Sequence, residues 1–539
     1  MINFRQYPNC TKIVIPSDIS LSTTNFSGAF GEMQNLQYLD IDKNIENQID
    51  VISNGSKDRG ICYNCKNLIK TTICGDKVIR MSYAYRNCTN LTTAVCGDNV
   101  TEMWGAYYGC TNLTTAVCGP NVADMYDAYS FCTNLTTAVC GDKVFDMGNA
   151  YRNCTNLTTA VCGPNVTNMY NAYINCTNLT TVACGDKVTN MSNAYYNCTN
   201  LTTAACGPNV TDMVNAYINC TNLTTAVCGP NVTRMSYAYQ NCTNLTTAVC
   251  GDKVTDMRYV YSGCTNLTTA VCGPNVTNIA GAYFRCSNLT GSPVCGDKVT
   301  DMSETYHGCT NLTGSPVCGD KVTDMNHTYN GCTNLTGSPV CGDNVAYMGY
   351  VYSDCINLTG SPVCGNNVRI MQKTYYNCTN LTGSPVCGNN VTYMGGAYSW
   401  CTNLTGSPVC GNNVTNMYQA YWMCTNLTGS PVCGPNVTDM NSAYRGCPNI
   451  QGNSYFYSPN ISAIGRCFDG RNTSNMLNIY VQKNSTTMNT CLTNDDQSLI
   501  WAPIEWTNDS ANNRYYNTSA NIYIYPVANV YQAKVDNGD

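Results

Sequence analysis

Histidine is nearly missing from this chain: 539 residues contain two, His307 and His327, alongside 8 phenylalanines and 5 tryptophans. Neither histidine recurs at equivalent places, so the residue most used as general base or metal ligand is not available as a repeated element. No glycine loop for phosphates and no Ser, His and Asp set stands out. The carboxylates Asp252 and Asp256 hint at calcium, but other copies lose the first of them. The expectation is a binding or structural protein, not an enzyme, with no cofactor and no metal. Charge is scarce too. Lys, Arg, Asp and Glu make up 11% of the chain and the net charge is −6, so nothing offers a basic surface to a phosphate backbone, and nucleic acid is not expected as a partner. No run of about 18 apolar residues occurs, and residues 1–20 lack the basic start, apolar stretch and cleavage site of a secretory signal. The chain is therefore expected to be made in the cytoplasm, without taking the general secretory route and without membrane insertion.

Cysteine and tyrosine, by contrast, are abundant, with 39 and 40 residues. Two periodic rows, from Cys65 to Cys447 and from Cys74 to Cys433, take all the cysteines except Cys10, Cys62, Cys467 and Cys491. An odd total in a long chain without a signal reads as reduced thiols buried as small hydrophobes, not as a disulfide framework. Zinc would want close cysteine pairs with histidines nearby, and these rows have neither. The rows also expose a repeat. From Cys88 to Cys286 the period is 22 residues, with linkers such as TTAVCG; from Cys286 to Cys447 it is 23, with GSPVCG. A fixed period of this size overrides a domain count from length and predicts a solenoid.

The copy from Cys154 to Asn175, CTNLTTAVCGPNVTNMYNAYIN, carries two periodicities. Leu157, Ala160 and Cys162 space an extended run that Gly163-Pro164-Asn165 ends. Val166, Met169, Ala172 with Tyr173, and Cys176 then recur every three or four residues, the apolar stripe of a short helical or 3₁₀ segment. The fold class is an α/β repeat solenoid, each coil one short parallel strand plus a short helical or 3₁₀ segment. Cys154, Leu157, Cys162, Met169 and Tyr173 are its structural residues. Asn156 and its equivalents are expected to form a buried ladder at the coil corner, so the Asn-Leu-Thr and Asn-Cys-Thr glycosylation sequons are by-products of the repeat. The phrase V-x-x-M-x-x-A-Y-x-x-C-x-N-L-x-x-A-x-C-G resembles the BspA-like (Treponema-type) leucine-rich repeat, I-x-x-x-A-F-x-x-C-x-x-L-x-x-I-x-I-P, over roughly residues 9–447. Tyr173 stands where that family has Phe, and Cys162-Gly163 where it has Ile-Pro; Ile13-Val14-Ile15-Pro16 and Gly28-Ala29-Phe30 keep its residue types. The resemblance implies the fold, whereas function stays open because such solenoids are scaffolds for many partners.

Three regions follow: an N-terminal cap with degenerate repeats (1–64), the tandem solenoid (65–447) and a β-rich C-terminal cap or attachment segment (448–539). In the last, Leu477–Val481 and Asn521–Tyr525 read as strands with Trp501, Trp506, Tyr515 and Tyr516 between them. Within the array, the two positions after Met and the two after Tyr change from copy to copy, while Thr158, Thr159 and Val161, also expected at the surface, barely change. The changing set includes Trp104, Tyr108, Tyr126, Tyr237, Tyr259, Trp400, Tyr418 and Trp422 among Ser, Asn, Gly and Arg, the vocabulary of a recognition surface, with drift as the competing reading. A threonine ladder on the strand face would suit ice, but the later Gly-Ser-Pro linkers interrupt it. The functional expectation is a phage virion fibre or decoration protein binding a host-surface protein or glycan, favoured by the missing export signal and the reduced thiols. A bacterial cell-surface adhesin, and a structural spacer or filament subunit contacting neighbouring subunits, are the alternatives; the location is a virion or a cell surface.

Overall fold

Three short parallel strands open the first unit of the chain: β1 (Lys12–Ile15), β2 (Tyr38–Ile41) and β3 (Lys70–Thr71), with Lys12 beside Tyr38 and Tyr38 beside Lys70. This computed structural model describes residues 3–57, 60–71, 73–493, 498–500 and 505–538, and its contacts separate residues 1–267 from residues 268–539. Between β2 and β3 lies α1 (Lys43–Glu46), whose first turn is capped by Asp42 accepting the Asn44 N–H. Beyond β3 the strands contract to single bridged residues. One series of parallel bridges steps from Arg80 through Glu102, Asp124 and Asp146 to Asp256, and a second joins Thr115, Thr137, Thr159 and Thr181.

Tyrosine explains the contraction. The Val227 N–H donates to the Tyr239 hydroxyl at 3.0 Å, and that hydroxyl donates to the Val227 carbonyl at 2.5 Å. The same double bond joins Val117 to Tyr129 and Val249 to Tyr261. A backbone pair that would otherwise need a partner in the next coil is thus satisfied inside its own, and no long ladder forms there. The hydroxyl is what this chain gains by placing Tyr where the resembling repeats have Phe. The rings themselves are fully buried and stack at 5.3–5.7 Å from Tyr85 to Tyr261.

The apolar stripe from Val166 to Cys176 is buried as its period requires, and its backbone takes 3₁₀-type bonds without running on as a helix. Ala172 N–H, Ile174 N–H and Cys176 N–H each close a turn onto the residue three earlier, at 3.0–3.3 Å. The intervening N–H groups of Met169, Asn171, Tyr173 and Asn175 donate instead to carbonyls of the next coil, at 2.8–3.1 Å. This alternation needs a left-handed residue at Asn171 (φ 58) and Asn175 (φ 59), and the same two positions are left-handed throughout the array.

Both cysteine rows are free thiols with distinct contacts. Cys154 is buried and donates to the Tyr129 carbonyl of the preceding coil at 3.1 Å; Cys162 is half-buried, with its sulfur 3.8 Å from that of Met169. Gly163 follows because a Cβ there would meet Cys140 Sγ at 2.8 Å and the Gly141 carbonyl oxygen at 2.9 Å. Leu157, Met169 and Tyr173 are fully buried. Asn156 departs from expectation: it forms a ladder, donating to Asn134 at 3.4 Å, but it is exposed, because the corner it occupies turns outward after buried Cys154. Burial therefore does not bar the sequon asparagines from modification.

The second unit repeats the coil. The Tyr306 hydroxyl donates to the Val294 carbonyl at 2.7 Å and accepts its N–H at 2.7 Å, and stacked rings run from Tyr283 to Tyr444 and on to Phe468. The extra residue of the longer period is absorbed at glycines such as Gly314 (φ 82) and Gly337 (φ 81), where only glycine adopts the conformation without strain. Asp439 bridges Ala463, so a coil with Ile464 for Met and Phe468 for Tyr continues the array past Cys447. The sheet then widens in the order β4 (Val432–Cys433), β5 (Gly452–Phe456), β6 (Leu477–Gln482), β9 (Ile522–Val527), β8 (Arg514–Asn517) and β7 (Thr507–Asp509), parallel as far as β9 and antiparallel beyond. Helices α2 (Thr486–Cys491) and α3 (Val530–Asp536) are capped by Ser485 and Asn529. The two strands foreseen in this region are β6 and β9, which are direct neighbours; Tyr515 and Tyr516 lie on β8, and Trp501 falls outside the described residues.

The hydroxyl clip has a built-in control, since the Tyr195 hydroxyl is buried without a partner. Tyr239→Phe should strand the Val227 backbone pair and cost about 1–3 kcal/mol, read as faster amide exchange at Val227 and its neighbours. Tyr195→Phe should change almost nothing. Equal effects from the two substitutions would refute the clip.

Burial also sets an alkaline limit. It raises the thiols of Cys96, Cys140 and Cys184 from the usual 9.0 to about 12. Between these values the unfolded chain has lost protons that the folded chain still holds, so stability is full below pH 9 and falls as the pH climbs toward 12. Denaturant midpoints of the reduced chain should be flat from pH 7 to 8.5 and drop steeply by pH 10.5. At pH 8 a thiolate-selective alkylating reagent should leave the folded chain largely unmodified and label it fully once unfolded.

Candidate recognition surface

The positions flanking Met and following Tyr lie on the turn side of each coil, and a backbone rule governs half of them. The second residue after Met and the second after Tyr are the left-handed ones. Asn and Gly recur there for that reason, and Asn adds a ladder of its own, Asn197 donating to Asn175 at 3.0 Å and Asn175 to Asn153 at 2.6 Å. Their frequency in the changing set is thus imposed by the fold and is no sign of recognition. The constancy of Thr158 also has a structural cause, because its hydroxyl donates to the Thr136 carbonyl of the preceding coil at 3.3 Å. Two of the arguments available from the sequence lose their force.

A different observation replaces them. Large side chains occupy the same left-handed positions: Tyr83 (φ 58), Phe131 (φ 64), Tyr237 (φ 58) and Tyr259 (φ 50) in the first unit, and His327 (φ 56), Tyr350 (φ 57) and Trp400 (φ 65) in the second. Such residues cost about 1–2 kcal/mol each in this conformation, and none of them fills the core.

The expected site residues fall into separate clusters instead of one continuous ridge. In the first unit, Trp104 (42% exposed) and Tyr126 (39%) meet edge to face at 6.4 Å. Half-buried Tyr108 packs on Phe131 at 5.1 Å, with the guanidinium of Arg86 5.0 Å from the Tyr108 ring centre and that of Arg152 5.4 Å from Phe131. Tyr237 and Tyr259 stack at 5.2 Å. In the second unit, Trp400 and Trp422 meet at 5.6 Å while Tyr418 is 44% exposed. A further cluster lies outside the expected site residues, although Phe284 and both histidines stand at changing positions: Phe284, His307, His327 and Tyr350 are linked ring to ring at 4.9, 5.9 and 4.6 Å, with Lys373 between Tyr350 and Tyr376. Burial lowers both histidines below their ordinary value, so they sit in this stack as neutral rings at neutral pH. Sequence reading missed the two positions before Met, which carry Phe145, Tyr347, Ile370 and Tyr393. The available signal was the loss of the usual threonine at Ala123 and Phe145, and again at Ala346 and Arg369, in adjacent copies. Among the described residues no group of three His, Cys, Asp or Glu could hold a metal ion, and no helix is long and apolar enough to cross a membrane.

The family described as BspA type leucine rich repeat region (6 copies) matches residues 2–136, 126–246, 193–313 and 303–428. The chain belongs to the BspA-type leucine-rich repeats. No curated protein matches it. Among solved structures, this BspA-type chain is similar to a leucine-rich repeat protein from Bacteroides ovatus ATCC 8483, at 17% identity over 68% of this chain and 87% of that one, with a TM-score of 0.47. A leucine rich cell surface protein from Faecalibacterium prausnitzii A2-165 is 18% identical over 63% and 88% of the two chains, TM-score 0.33. The functional domain of InlJ from Listeria monocytogenes, which includes a cysteine ladder, is 15% identical over 78% and 86%, TM-score 0.21.

Replacing strained rings by the residue the backbone favours gives a direct check. Tyr237→Asn and Tyr259→Asn should leave unfolding midpoints unchanged or slightly raised, since about 1 kcal/mol of relieved strain offsets roughly 0.5–1.5 kcal/mol of lost stacking. A loss above about 2 kcal/mol would make these rings part of the stabilising frame.

Proposed function

We propose that this BspA-type chain is a surface recognition protein that binds through the aromatic clusters on the turn side of its coils. The observation that carries the reading is the set of Tyr, Phe, Trp and His side chains at left-handed positions where Asn and Gly suit the backbone better. A spacer or filament subunit would lose nothing by keeping Asn or Gly there, and drift at a strained position would favour the residues that relieve the strain. Rigid aromatics beside Arg, Ser and Asn are instead what a binding surface uses as anchors and adaptable contacts. A virion fibre or decoration protein and a cell-surface adhesin would use these clusters alike, against a host-surface protein or glycan; immunolabelling of producing cells and released particles tells the carriers apart.

The test is retention of the labelled chain on intact host cells. Trp400→Ser with Trp422→Ser, and separately Tyr108→Ser with Phe131→Ser, should leave stability nearly intact while cutting retention about tenfold or more, as expected when an aromatic anchor is truncated. Undiminished retention in both variants would end the proposal.

A further inference from the structure

Beside Trp104 the turn side of the first unit is notched by a cleft of about 390 Å³, within the usual range for small-ligand sites. Its walls are Trp104 and Phe145, and its charged groups are Arg80, Glu102 and Asp124, all three from the bridged series of successive coils, with Ser82 and Thr101 beside them. The cleft exists because two copies break the repeat. At this position most coils carry a threonine whose hydroxyl donates to the preceding coil, as Thr101 does to Ile79 at 3.3 Å, Thr167 to Phe145 at 3.2 Å and Thr189 to Thr167 at 3.2 Å. Ala123 and Phe145 give up that bond: the first removes side-chain bulk, and the second raises a phenyl wall that is 49% exposed. An array grown by copying has its own consensus as the neutral expectation. Two adjacent departures that together open a cleft beneath an exposed tryptophan are departures toward a ligand.

Resting on the recognition reading above, we infer that this cleft binds a neutral saccharide unit, the terminal residue or a short stretch of a surface glycan. The chemistry of the walls selects that class. One guanidinium against two carboxylates leaves the cleft without the positive charge an anionic sugar, a phosphate or an acidic peptide would need. A cationic peptide would meet Arg80, which is held across the site by its ion pair with Glu102 at 3.2 Å. A purely apolar ligand would strip water from these charged groups without offering a polar contact in its place. What remains is a molecule with hydroxyl groups for planar donors and acceptors and a C–H face for indole and phenyl rings. Asp124 is already oriented for this: one of its carboxylate oxygens accepts the Tyr126 N–H at 2.9 Å, and the Trp104 indole faces the same carboxylate. Burial raises its pKa, as for a carboxylate withdrawn from bulk water.

The experiment uses the full reduced chain and three probe sets: neutral manno-, galacto- and gluco-oligosaccharides, their carboxylated counterparts, and oligolysine, followed by tryptophan fluorescence and calorimetry. A neutral oligosaccharide is expected to bind. Trp104→Ala and Asp124→Asn should each weaken it about thirtyfold. The decisive variant is Ala123→Thr with Phe145→Thr, which restores the repeat's own residues and hydrogen bonds, so that folding is secured while the cleft closes; binding should vanish with no loss of stability. Saccharide binding that survives this double substitution overturns the proposal, as does binding confined to the charged saccharides or to oligolysine. If no probe binds but retention on cells still depends on Trp400 and Trp422, the cleft is excluded and the recognition reading stands. If that retention also ignores the aromatic clusters, both fall.

Discussion

The hydroxyl of one tyrosine, bonded at once to the N–H and C=O of a residue twelve places earlier, is the constraint on which the coil depends. It satisfies the backbone where a strand would otherwise need its neighbour, as with Val227 and Tyr239 or Val294 and Tyr306. The stacked rings then bring large side chains into the core, and burial of those rings keeps the hydroxyls protonated, their pKa lying well above the ordinary tyrosine value. Cysteine fits the same scheme. A thiol is small enough to sit beside the ring and still donates to the Tyr carbonyl of the preceding coil, as Cys154 does to Tyr129 and Cys332 to Tyr306.

Much of this was legible in the sequence. The two cysteine rows, the change of period at Cys286, and the buried identities of Leu157, Met169 and Tyr173 follow from spacing, because a side chain pointing into a stacked core cannot vary without disturbing two neighbours. The conformation of the turn side was not. An apolar stripe of period three to four fixes which residues face inward, but a helix and a string of turns with left-handed residues share that stripe; the recurrence of Asn or Gly at Asn171 and Asn175 was the local signal that separates them. Asn156 shows the opposite failure. Its regularity was read as burial, whereas an exposed amide ladder is equally regular, since each side chain is held by the copy before it.

The candidate site was legible only in part for a related reason. Trp104, Tyr126, Trp400 and Trp422 stood out as letters, but the comparison that gives Trp400 its weight needs the backbone. Once Asn and Gly at the left-handed positions are set aside as dictated by conformation, Phe131, Tyr237, Tyr350 and Trp400 become the anomalies. Repetition turns this into a sensitive test, because every coil supplies a control for the others. Phe145 and Tyr347 could have been found by the same comparison applied to the residues before Met, where threonine and a small polar residue are otherwise the rule.

Variation gathers on the turn side because the two sides hold their neighbours differently. On the strand side the main-chain ties, such as Thr158 N–H to the Thr136 carbonyl, are joined by side-chain ones: the Thr158 hydroxyl to the same carbonyl, the Asn156 amide to Asn134. Changing one of those residues breaks a contact between coils. On the turn side the ties that recur from coil to coil are main-chain ones, Met169 N–H to the Asn190 carbonyl and Tyr173 N–H to the Ala194 carbonyl, and they survive whatever side chain the residue carries; the asparagine ladder is added only where Asn happens to stand. Only the handedness of two positions in each coil is constrained there. A surface whose architecture is carried by its backbone can exchange tyrosine for arginine or tryptophan without endangering the core. The same lack of structural duty is why rings kept there against a conformational penalty, offset only by stacking on one another, support the recognition reading.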